Sequence, residues 1–128
     1  MLKIGTARPL MLAVPAIAFL AACAGEPEVS FSQDVKPILD ANCLSCHQPG
    51  GAGYETSGLA MTNHEALMKG TEGGAMIIPG DVEGSNLLVL MEGRADPSIS
   101  MPHGSMDPVP SADIALIRQW IAQGAKNN

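Results

Sequence analysis

"CLSCHQPG", Cys43 to Gly50, sets two thiols three residues apart and an imidazole directly after the second. Paired cysteines serve several chemistries, and each asks for a different setting. A thioredoxin-type redox pair calls for a β-α-β context, yet no alternation of apolar and polar residues runs longer than four positions. A structural zinc site takes four ligands, typically with a second ligand pair. Beyond residue 23 the chain adds only His64 and His103, which do not form such a pair. A cysteine-protease nucleophile does not come as a pair beside a helix end.

Cys-x-x-Cys-His is the attachment signature of c-type haem. Two thiols add across the two vinyl groups on one edge of the porphyrin, and the next residue then lies beneath the iron. The motif therefore assigns Cys43 and Cys46 to covalent attachment of one haem c and His47 to the proximal iron position. Thioether bonds retain the haem outside the cytoplasm, where free haem would be lost.

The N-terminus fits such an export. Lys3 and Arg8 are the only charges before Glu26, and "PLMLAVPAIAFLAA" follows Arg8. A basic start, a short apolar run and small residues read as a secretory signal. The run falls short of the ~20 residues a spanning helix needs, and Pro15 interrupts it. Leu20-Ala21-Ala22-Cys23 resembles the lipobox of bacterial lipoprotein signals, in which the cysteine is acylated and becomes the new N-terminus. The resemblance implies a lipid on Cys23 and attachment to the periplasmic side of the cell envelope. Ala24 stands where an inner-membrane retention signal has aspartate, which favours the outer membrane.

Without residues 1–22, five basic side chains face thirteen acidic ones, a net charge of −8. So acidic a surface argues against nucleic acid, which asks for basic patches. It suits redox partners with a positively charged docking patch. The same segment has one Trp, one Tyr and one Phe (Trp120, Tyr54, Phe31). A chain this short buries a modest core, and a large apolar cofactor makes good the deficit.

Helical signals dominate. Val35, Ile38, Leu39 and Asn42 recur at helical spacing between Phe31 and Cys43, with Ser32 or Asp34 as cap. Residues 47–58, "HQPGGAGYETSG", read as a loop. Thr62 or Asn63 caps a short helix through Met68, and Ser85 caps "NLLVLME". "ADPSISMPHGSMDPVP", residues 95–110, reads as loop. Ser111 caps the last helix, on which Ile114, Ile117, Trp120 and Ile121 share one face.

A low-spin iron needs a sixth ligand, and Met/His ligation raises the potential. In monohaem cytochromes c the methionine comes from a loop before the C-terminal helix. Met101 and Met106 both lie there, with His103 as a nitrogen competitor. Met61, Met68, Met76 and Met91 sit in or beside apolar segments, as core methionines do. His64 reads as a satisfied or surface histidine.

Several stretches resemble the planctomycete-type cytochrome c domain in collinear order: "FSQDVKPILDANCLSCH", "SGLAM", "IIPGDVEGSNLL" and "MPHGSMDPVPSADIALIRQWIAQGA". The resemblance implies an all-α, cytochrome c-like fold of three to five helices around one covalent haem. Phe31, Val35 and Leu39 should then pack near Ile117, Trp120 and Ile121. It places the family's Met-Pro element on Met101, where His103 replaces a common second proline; Met106 is the runner-up. It divides the chain into a signal peptide (1–22), a lipidated tether (23–30) and a cytochrome c domain (31–128). The function implied is single-electron transport without enzymatic turnover, the alternative being a haem-based sensor or small-ligand binder with a labile sixth ligand.

Overall fold

The computed structural model describes residues 25–128. The expected signal peptide and Cys23 lie outside them. Five α-helices and no named strand occur among the described residues, and none of these helices is long and apolar enough to cross a membrane.

The chain enters through a π-helical turn, Phe31–Val35, that runs straight into α1, Lys36–Asn42. The cap is Ser30, ahead of the expected Ser32 or Asp34. Its side chain accepts from the Gln33 N–H at 3.2 Å, while Asp34 Oδ2 accepts from the Ser30 N–H at 2.8 Å. This reciprocal pair satisfies two donors that a helix start leaves open. Pro37 is the second residue of α1, directly after the π-helical turn.

Residues 47–58 are not all loop. Ala52–Ser57 form α2, with Gly51 at its N-cap and Gly58 at its C-cap, φ 74°. Glycine richness misleads here because Gly58 supplies the left-handed residue that ends the helix. Thr56 and Ser57 turn their hydroxyls back to the Ala52 and Gly53 carbonyls, at 2.8 and 2.6 Å.

Asn63 caps α3, His64–Lys69, accepting from Ala66 N–H at 2.8 Å. Ser85 precedes α4, Asn86–Met91, but its hydroxyl does not cap it. Fully buried, that hydroxyl donates to Asp81 O at 2.6 Å and accepts from Ile78 N–H at 3.0 Å, fastening the turn that leads into α4. A short 3-10 turn, Pro97–Ile99, interrupts the long loop before α5, Ser111–Ala122.

The start of the fold packs against α5 as expected. Phe31, Val35, Leu39, Ile117, Trp120 and Ile121 are all buried, and the Phe31 and Trp120 rings lie 5.5 Å apart. His64 completes the cluster edge-on, 5.0 Å from Phe31 and 6.0 Å from Trp120. Its Nε2 meets Ala125 O at 2.7 Å, so it is a satisfied histidine. Trp120 donates its indole N–H to Lys126 O at 2.9 Å, which removes the cost of burying that donor. At the other end of α4, Glu92 and Glu83 bind both Arg94 and Arg118, tying that helix end to α5.

Candidate haem site

The end of α1 delivers the motif. Cys43 N–H bonds back to Leu39 O at 2.9 Å, and the Cys43 carbonyl takes the N–H of both Cys46 and His47, at 3.1 and 3.0 Å. The chain therefore coils tightly at the point where both thiols and the imidazole must share one side. The next carbonyls are also used: Cys46 O accepts from Tyr54 N–H at 2.9 Å and His47 O from Met61 N–H at 2.8 Å. Gly51 allows this closeness, since a Cβ there would stand 2.4 Å from Cys46 O.

A cavity of about 660 Å³ opens beside the motif, within the range of small-molecule and cofactor sites. Cys43, Cys46, His47, Met101, His103 and Met106 all line it. The structure thus brings together every residue that the sequence nominates around the haem. Both thiols are free. Burial, with Cys46 nearby, pushes the Cys43 thiol up to about 11, so it stays protonated at neutral pH.

His47 is buried, and its Nδ1 lies 3.3 Å from Leu59 O. A carbonyl only accepts, so Nδ1 carries the proton and the lone pair of the neutral ring falls on Nε2. Nε2 has no hydrogen-bond partner among the described residues, and the His47 ring is part of the cavity wall. A backbone carbonyl that fixes the tautomer and the ring plane is a common support for a metal-bound histidine. Gly53 of α2 lies against the same ring: a Cβ there would stand 2.7 Å from His47 Cε1.

The opposite supply of ligands comes from the long loop. Met101 is half-buried, and its N–H donates to Leu90 O at 3.2 Å, which pins it to α4. Met106 is 45 % exposed. His103 is exposed as well. Met61 and Met91 are buried in the core, and Met68 and Met76 pack against it. Met61, Met76 and Met91 also reach the cavity wall, beyond the filler role that sequence assigns them. Leu59 and Gly53 carry no sequence signal for their places beside His47; "SGLAM" marks only their neighbourhood. The residues present fit a haem: two free thiols and an imidazole whose Nε2 has no hydrogen-bond partner line one largely hydrophobic cavity.

Helices wrapped on such a site define a small all-α cytochrome c domain, a class that binds haem c covalently. Residues 43–104 match the family model described as Planctomycete cytochrome C, and over that stretch the chain is similar to the planctomycete-type cytochrome c domain. Neither the curated proteins nor the solved structures yield a match. The matched segment holds the thiols, His47 and Met101 and ends before Met106. The π-helical turn and α5, which pack against one another, and α1 after that turn all lie outside it.

Proposed function

We propose that the protein is a lipid-anchored, periplasmic electron carrier with a single covalent haem and no catalytic turnover. When bound, the haem supplies a one-electron Fe(II)/Fe(III) couple, whose potential axial ligation and burial tune. Cys43 and Cys46 hold it, His47 Nε2 takes the proximal position, and Met101 takes the distal one. One observation carries the reading: His47, its Nδ1 held by Leu59 O, lines the same cavity as both thiols. Met101 is favoured over Met106 by its backbone bond to Leu90 and its lower exposure. Pro102 further restricts Met101 to extended backbone, whereas Asp107 beside Met106 has to stay solvated. The anchor rests on the lipobox ending at Cys23.

Intact mass after expression with haem-maturation machinery tests the attachment: lipidated polypeptide plus one haem is expected. A mass equal to the polypeptide plus lipid alone, or increased only by one zinc, overturns it. The reduced spectrum with and without carbon monoxide tests the carrier role. A low-spin spectrum and slow carbon monoxide binding are expected. Rapid binding would transfer the protein to the sensor or ligand-binding class.

A further inference from the structure

The mouth of the cavity has a pattern of its own. The cavity-lining residues that are exposed are Ala52, Thr56, Ser98, Ile99, His103 and Met106. Ile99 and Met106 are 53 % and 45 % exposed, two of the three large apolar side chains left most open among the described residues. Apolar surface kept open beside a functional cleft marks a contact surface.

Four acidic residues adjoin lining residues of that mouth, along the chain or by a hydrogen bond. Glu55 lies on α2 between the cavity-lining Gly53 and Thr56. Glu72 follows Thr71, another lining residue, and its N–H bonds to Ser57 O. Asp96 binds the backbone and hydroxyl of Ser98, and Asp107 follows Met106. All four are exposed. Among the described residues none of the four has an ion-pair partner, and no Lys or Arg lines the cavity. Most of the described cations are engaged elsewhere: Lys36 with Asp40, Lys126 with Glu28, and both arginines with Glu83 and Glu92.

We propose that the cavity mouth is a docking surface for a redox protein whose electron-transfer site is an apolar patch ringed by lysine or arginine. The proposal rests on the electron-carrier reading above. Ile99 and Met106 supply the dry centre, and Glu55, Glu72, Asp96 and Asp107 supply the rim. Charged rims set encounter rate and orientation more than affinity. A second copy of this chain would bring like charges together, and anionic lipid or nucleic acid would be repelled for the same reason. One electron crosses the interface, with no bond made or broken and no proton moved.

The test follows oxidation of the reduced holoprotein by stopped flow. Three acceptors are compared: cationic tris(phenanthroline)cobalt(III), anionic ferricyanide and a basic, lysine-rich cytochrome c. Glu72→Gln with Asp107→Asn is set against Glu26→Gln with Glu65→Gln, which removes the same charge away from the mouth. At about 10 mM ionic strength the mouth pair should slow the cobalt complex and the basic cytochrome by about fivefold and speed ferricyanide. The distant pair should change each rate by less than about 1.5-fold, because its charges lie farther from the contact. Rising salt should erase the difference. Equal effects from the two pairs, or slower ferricyanide with the mouth pair, would overturn the docking surface while leaving the carrier reading intact. A holoprotein that reduces none of the acceptors would overturn both.

Discussion

Gly53→Ala sets two physical effects of opposite sign against each other. Gly53 is the second residue of α2, and glycine costs at most roughly 0.5–1 kcal/mol relative to alanine, the value for a helix interior. Propensity alone therefore predicts stabilisation. The new Cβ, however, would stand 2.7 Å from His47 Cε1 and 3.0 Å from both ring nitrogens. The imidazole is buried and bonded to Leu59 O at 3.3 Å, so it has little room to yield. Overpacking of this kind costs about 1–3 kcal/mol, and a displaced ring gives up a bond worth roughly 0.5–1.5 kcal/mol. The repulsive effects win, by about 0.5–4 kcal/mol net. For a domain of this size each kcal/mol is roughly 4–8 °C in melting midpoint. The assay is thermal and urea unfolding of the holoprotein, with its reduction potential measured alongside. Gly73→Ala serves as control, because its Cβ meets nothing closer than Thr71 Oγ1 at 3.5 Å. A Gly53→Ala protein as stable as the parent, with an unchanged potential, would refute the seating of His47 against α2.

Met101→Ala should open the sixth position, lower the potential and admit carbon monoxide rapidly, while Met106→Ala should preserve the low-spin spectrum; absorption spectroscopy of both variants decides, and the reverse pattern hands the ligand role to Met106. Glu92 is driven upward by burial, but hydrogen bonds and charge from Arg118 and Arg94 prevail and hold its pKa below its ordinary value. Its folded pKa is depressed, so its stabilising effect is present above the unfolded carboxylate pKa and is lost as pH falls through the folded one. Glu92→Gln should accordingly lower stability at neutral pH and flatten the acid limb of a stability-against-pH curve; an unchanged acid limb would contradict this. Cys23→Ser should release the protein from the membrane fraction or alter its processing, read by fractionation and N-terminal mass; unaltered membrane association with the same N-terminus would exclude the lipid anchor.

Much of this protein is legible in one dimension because its signals are local. Cys43, Cys46 and His47 need only their own spacing to be read, since both bonds and the axial nitrogen serve one edge and one face of a porphyrin. The face of α5 is likewise a matter of period: Ile117, Trp120 and Ile121 are buried as the 3.6-residue repeat dictates. The Asn63 cap and the Gly70 stop follow from side-chain and backbone chemistry within a few residues.

What the sequence left open depends on contacts between distant segments. Residues 47–58 look like loop because glycine lowers helix propensity, yet tertiary bonds from Cys46 O to Tyr54 and from Ser57 O to Glu72 support a short helix there. Nothing near His47 in the chain says that the Leu59 carbonyl, twelve residues on, selects its tautomer. The bond from the Met101 N–H to Leu90 O, which adds to the preference the Met-Pro element already gives, depends on where Leu90 sits when α4 is packed on α5. The acidic rim is invisible as a unit, because Glu55, Glu72, Asp96 and Asp107 come from four separate segments. Periodicity and motif spacing encode what one element does for itself; orientation of the imidazole, the side of the ligand loop and the grouping of charges arise only when the elements close on a common cavity.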